Sequence, residues 1–145
     1  MTTGALRLSR ELIDEMVEHC FAERPNEACG LLASNNERVV KVFRMTNASG
    51  SPVRYSLDAA EQLAVYKKLD REDWELGGIF HSHTHTEAYP SPTDVREAHE
   101  DVPYVIVSLA DESPDIRAFR ITKENWRDED GLVEEIPVVI EPLDE

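Results

Sequence analysis

Long apolar runs are missing from this sequence. No stretch approaches the roughly 20 residues of a membrane span, and the first ten, MTTGALRLSR, lack the apolar core of a signal peptide. Basic charge is scarce: 15 Lys and Arg stand against 30 Asp and Glu, for a net charge of −15. Nucleic acids and anionic membrane surfaces both demand a basic footprint, so neither is expected as a partner. Cysteine is nearly absent too, with only Cys20 and Cys29 and no CxxC or zinc-finger spacing. Internal repeats, low-complexity tracts and linkers are lacking. The expectation is a cytoplasmic protein with reduced thiols. At 145 residues, 41% of them hydrophobic, the chain can bury a core as one domain but is too short for a (β/α)₈ barrel.

What is present alternates between helical and extended patterns. Residues 9–24 carry Leu12, Ile13, Met16, Val17, Cys20 and Phe21 as a helical stripe, with Ser9 as N-cap and Pro25 closing the segment. Cys20 reads as a core thiol and His19 as a boundary residue. A short buried strand is expected from Ala28, with Glu27 at its mouth and Cys29 and Gly30 suited to close backbone packing. Residues 39–45 read as a strand and 46–55 as a turn-rich loop. Asp58 and Glu61 resemble a capping box ahead of a helix that ends in the charged residues 70–73. Then come a strand at 77–83, a loop at 84–90, and a short helix from the N-cap Ser91 to about His99. Strands follow at 104–110 and 116–121. An acidic segment begins near residue 123, with an edge strand at 136–140 and frayed final residues. This order predicts one α/β domain over residues 1–145, in three layers, with a mixed central sheet flanked by helices.

The chemistry concentrates in residues 77–94, GGIFHSHTHTEAYPSPTD. On a strand, residues two apart share a face, so His81 and His83 aim the same way while Ser82 points to the other side. Asp94 sits in the first turn of the following helix and can turn back toward the strand end. Two histidines and a carboxylate are the protein ligands of an open catalytic zinc site. His85 follows at the same spacing, but the polar, proline-bounded segment after it argues that the strand has ended. Glu87 gives the spacing His-x-His-x3-Glu of a cupin, a small-molecule metalloenzyme reading with which the helical stripes disagree.

His81-Ser82-His83, seven residues, Ser91, two residues and Asp94 resembles the JAMM motif of the JAB1/MPN/Mov34 metalloprotease family. Glu27, within EACGLLA, matches the glutamate segment of its small bacterial members. The resemblance extends along most of the chain and implies a JAB/MPN domain of cytidine-deaminase-like fold. It implies one zinc ion per chain held by His81, His83 and Asp94, Glu27 as general base, and Ser91 steadying the oxygen of the tetrahedral intermediate. The eukaryotic deubiquitinases of the family carry inserted segments for which this chain has little room. EACGLLA, TNAS and the segment after His81 look similar instead to bacterial members that serve a ubiquitin-like sulfur carrier of the CysO type. By that likeness the partner is a carrier ending in Gly-Gly, and the reaction hydrolyses the bond between its C-terminal glycine and cysteine, releasing cysteine for biosynthesis. The alternatives are an isopeptidase on another ubiquitin-like modifier and a non-catalytic MPN module that binds such tails. A homodimer is compatible with either.

Overall fold

A computed structural model describes residues 4–142. The chain opens with a short strand, β1 (Leu6–Ser9), that runs straight into helix α1 (Arg10–Ala22). Ser9 is extended and its hydroxyl accepts the Leu12 N–H at 3.3 Å, so the expected N-cap starts this helix. A hairpin of β2 (Cys29–Asn35) and β3 (Arg38–Met45) follows, turning through Asn36 and Glu37, both in the left-handed region. Helix α2 (Ala59–Glu72) is capped by Asp58, which accepts the Glu61 N–H at 3.0 Å. Glu61 does not complete a capping box: its carboxylate reaches back to the Thr46 N–H and hydroxyl, both at 2.7 Å.

Strand β4 (Glu75–His83) leads by a loop to α3 (Pro92–Glu97), and then come β5 (Tyr104–Ser108) and β6 (Asp115–Thr122). Helix α3 is shorter than expected because Ala98 already leaves the helical region. The expected single edge strand at 136–140 is two strands, β7 (Leu132–Ile136) and β8 (Val138–Glu141). Pro137 separates them; it has no N–H for a ladder, and its carbonyl accepts the Leu6 N–H at 2.8 Å. The expected fraying falls on residues 143–145, outside the described residues.

The main sheet runs β3-β2-β4-β5-β6-β7 and is mixed, with only β4 and β5 parallel. Strands β1 and β8 form a separate parallel pair. Side-chain alternation sends Leu32, Phe80, Val105 and Val107 to one face, where they pack with α1 and with Leu6 and Leu8 of β1. Leu31, Ile79 and Tyr104 point to the opposite face and pack with Val65 and Leu69 of α2 and with Ala98. Two helical layers thus sandwich the sheet, the three-layer arrangement expected.

Two positions show how tight this packing is. A Cβ at Gly30 would run into the Phe80 ring and the Phe43 carbonyl, so only glycine lets β2 lie between them. His19, expected at a boundary, is buried, and its Nε2 reaches the carbonyls of Cys29 at 3.1 Å and Met45 at 3.2 Å. It takes up carbonyls near the open end of the β2–β3 hairpin, which a helix-face pattern cannot reveal. Burial pushes the thiols of Cys20 and Cys29 up to about 12, so both are inert packing groups.

Candidate metal centre and active site

The C-terminal end of β4 is the place where the sheet changes from antiparallel to parallel pairing. Ladders on both sides fix its backbone: His81 stands opposite Cys29 of β2 and Ile106 of β5. Both histidines are buried, at 1% and 5% exposure. Asp94 is held just as firmly by a capping box. The Ser91 hydroxyl accepts the Asp94 N–H at 3.0 Å, and Asp94 Oδ2 accepts the Ser91 N–H at 2.9 Å.

These elements bring three donor atoms together. His81 Nε2 lies 3.2 Å from His83 Nε2 and 3.2 Å from Asp94 Oδ2, and His83 Nε2 lies 3.0 Å from the same oxygen. Tetrahedral zinc with bonds near 2.0–2.1 Å separates its ligand atoms by about 3.3 Å, so the triangle has the size of a metal face. The tautomer fits as well. His83 Nδ1 donates to the Glu87 carbonyl at 2.8 Å, which leaves a lone pair on Nε2 facing the carboxylate. His81 Nδ1 is buried with no hydrogen-bond partner among the described residues, so no contact fixes its tautomer and its Nε2 can present a lone pair to a cation shared with His83 and Asp94. Burial opposes charge on His83, but its hydrogen bonds to Asp94 and the Glu87 carbonyl win and raise its pKa. Burial likewise works against the Asp94 anion, yet hydrogen bonds from His81 and His83 hold Asp94 well below the usual carboxylate range.

Glu27 approaches from a different element, just before β2. Its N–H donates to the Ser51 carbonyl at 2.9 Å, and its carbonyl accepts from Asn47 Nδ2 at 3.0 Å. One residue on, the Ala28 N–H donates to the Ser82 hydroxyl at 2.8 Å, while the Ser82 N–H donates to the Ala28 carbonyl at 3.0 Å. Ser82, facing away from the histidines, is thus the clasp that ties β4 to the Glu27 segment. The Glu27 side chain is 4% exposed, and its Oε1 has no protein hydrogen-bond partner. Burial pushes its pKa up to about 8, with His83 pulling it down and Asp94 pushing it further up. Such a carboxyl accepts and returns protons near neutrality. Ser91, whose oxygen already accepts the Asp94 N–H, still has its own hydrogen to donate.

Two residues of the site carried no signal in the sequence beyond a turn-rich loop. Tyr55 stacks on the His81 ring with centroids 4.4 Å apart and 22° between planes. Asn47, 8% exposed, is bonded through both ends of its amide. His85 is exposed and stays out of the cluster, and Glu87 contributes its backbone carbonyl to His83. The cupin reading fails on both the helices and this donor set. A groove of about 590 Å³ leads away from His83 and Ser91, walled by Tyr89, Pro92, Val95 and Val133 and rimmed by Glu129 and Asp130.

Known proteins resemble this chain in sequence and in fold. The profile of a family described as prokaryotic homologs of the JAB domain matches residues 9–122. The chain is 42% identical over 141 residues to the CysO-cysteine peptidase of Mycobacterium tuberculosis, spanning 94% of this chain and 92% of that protein. It is 38% identical over 115 residues to a probable TtuB-protein conjugate cleaving protease of Thermus thermophilus, spanning 79% and 74% of the two chains. The solution structure of a Desulfitobacterium hafniense protein matches with a TM-score of 0.82 at 33% identity, over 95% of this chain and 94% of that one.

Proposed function

Since the chain belongs to the family of prokaryotic homologs of the JAB domain and is a peptidase of that family, we propose that it acts on a ubiquitin-like sulfur carrier of the CysO type. It hydrolyses the bond between the carrier's C-terminal glycine and cysteine, releasing free cysteine for biosynthesis in the cytoplasm. The observation that carries this reading is the convergence of His81 Nε2, His83 Nε2 and Asp94 Oδ2, with the buried Glu27 carboxyl, its Oε1 without a hydrogen-bond partner, close enough to interact electrostatically with His83 and Asp94. The relative at 42% identity supports the choice of substrate.

In this mechanism His81, His83 and Asp94 hold one zinc ion. Zinc supplies Lewis acidity, bringing the pKa of water to about 7 and polarising a carbonyl. Glu27 takes the proton from the attacking water and hands it to the amine of the departing cysteine, which balances hydrolysis of the amide. A positioned carboxylate of this kind contributes on the order of 10²–10⁴ in rate. The Ser91 hydroxyl donates to the carbonyl oxygen as negative charge builds on it. Tyr55 keeps the His81 ring oriented, and the groove beyond Ser91 gives an extended chain terminus room to lie beside the reacting carbonyl. All of these residues come from one chain, so the mechanism does not call for a homodimer.

Intact-mass spectrometry tests the reading: a carrier bearing C-terminal cysteine is incubated with the protein, with and without a zinc chelator. Loss of one cysteine residue, blocked by the chelator, is the expected result; an unchanged adduct with zinc-loaded protein overturns the substrate. A second reading, cleavage of a ubiquitin-like modifier from another protein, draws on the Thermus thermophilus relative and would show as release of free modifier from a conjugate.

A further inference from the structure

Asn47 does more than shape a turn. Its Nδ2 donates to the Glu27 carbonyl and to the Arg54 carbonyl, each at 3.0 Å, with a longer 3.4 Å contact to the Ser51 carbonyl. Its Oδ1 accepts the N–H of Ser49 at 3.0 Å and of Ser56 at 3.1 Å. Ser51, held in the same loop, accepts the Glu27 N–H. One buried amide therefore grips Glu27 from one side. From the other it grips the residues on either side of Tyr55, whose ring lies on His81. The loop has a further link to the site helix, the Arg54–Glu97 pair at 2.8 Å, but that pair is exposed and weak. Asn47 is buried and satisfied at both ends, and together with the Glu27 N–H bond to the Ser51 carbonyl it ties Glu27 to this loop.

We propose that Asn47 is a positioning residue of this peptidase: its side-chain amide aligns Glu27 with the metal-binding histidines by locking both to one loop. The proposal rests on the reading of Glu27 as base, and its test has one arm that needs no activity. In N47D the side chain keeps an acceptor for Ser49 and Ser56 but loses the donor to Glu27 and Arg54; N47A loses both.

In the first arm, hydrogen exchange of the Glu27 amide is followed by NMR. It should speed up at least about tenfold in N47D, while the core amides of Phe80 and Val105 keep their rates. An unchanged Glu27 amide in N47D overturns the proposal whether or not any substrate has been found. The second arm is a kinetic double-mutant cycle. N47D should lower kcat about 10- to 100-fold with KM within about threefold, and should lower it no further in an E27Q background. Losses that simply multiply in the double variant would show Asn47 acting independently of Glu27 and overturn the proposal. Faster Glu27 exchange in N47D, together with a wild-type protein inert toward every carrier, would sink the substrate reading and leave Asn47's role standing.

Discussion

The two halves of the site are built by different means. The half made of His81, His83 and Asp94 comes from neighbouring stretches of chain, and ordinary secondary structure places each member. A strand paired on both sides aims the two rings, and a capping box sets the carboxylate. The half made of Glu27, Tyr55 and Asn47 has no such support. Glu27 lies outside any strand, Tyr55 lies in a loop, and what holds them is a mixture of side-chain-to-backbone bonds, one backbone bond to Ser51 and ring stacking between segments far apart in sequence. The triad half should therefore behave as a rigid receptor for the ion and the Glu27 half as an adjustable arm. Breaking the first should cost binding and breaking Glu27 or Asn47 should cost rate, while Tyr55, stacked on His81, ties the second half back to binding.

The largest effect is expected from H83A. It removes one corner of the triangle and leaves Asp94 buried with one imidazole, so zinc binding measured by metal analysis should be lost and hydrolysis should fall to background. Circular dichroism should stay near wild type, because β4 keeps its ladders; an active, zinc-loaded H83A would refute the assignment of the triad.

E27Q comes next and sharpens the contrast. Metal content should stay at wild-type level while kcat falls by about 10²–10⁴. The same variant tests the electrostatics without metal. Glu27 has its pKa raised by burial from 4.5 to about 8, so the folded state holds a proton that the unfolded chain releases between these values. Stability of the metal-free protein should fall as pH rises from about 4.5 to about 8. The metal-free E27Q variant should show a shallower decline, because His83, whose pKa is also raised, still contributes one, and it should be the more stable form at pH 8. Urea titrations at pH 5 and 8 in chelator would check this, and identical pH profiles for the two proteins would contradict it.

A smaller effect is expected from Y55A. The histidine ligand loses its stacking partner, and zinc affinity by competition with a chelator should weaken about tenfold, within the range for groups that orient a ligand. Y55F keeps the ring and should bind zinc as wild type does. Smallest of all is R54A. Its partner Glu97 is exposed, so the change in denaturation free energy should be under about 1 kcal/mol. A large loss there would mean that the exposed pair, and not Asn47, anchors the loop.

Periodicity reveals structure where the pattern is local and long enough to show. The stripe of α1, the apolar runs of β4 and β5 and the cap at Ser91 could all be read from spacing, because each follows from the repeat of its own backbone. Strand β1 could not, nor could the break at Pro137 that divides the expected strand at 136–140 between β7 and β8. β1 is four residues long and pairs with β8 across nearly the whole chain, so it carries no pattern distinguishable from loop. His19 looked like a boundary residue because a helix wheel registers only its own face, while the carbonyls that bury it belong to β2 and β3.

For the site the division is the same. The His-x-His spacing put two rings on one face, and the proline-led helix put a carboxylate in its first turn; both are consequences of local backbone geometry. The resemblance to a family singled out Glu27, which spacing alone leaves as a carboxylate beside a turn. The donor atoms come within 3.0–3.2 Å of one another, Glu27 Oε1 is buried without a hydrogen-bond partner, and Tyr55 lies on His81, all through contacts between distant segments. Sequence by itself determined where the longer elements form and which way their side chains point, since those depend on neighbours a few residues apart. Tertiary structure alone decided which of those side chains meet and which lose their water, because desolvation and hydrogen bonding depend on the segments that pack around them.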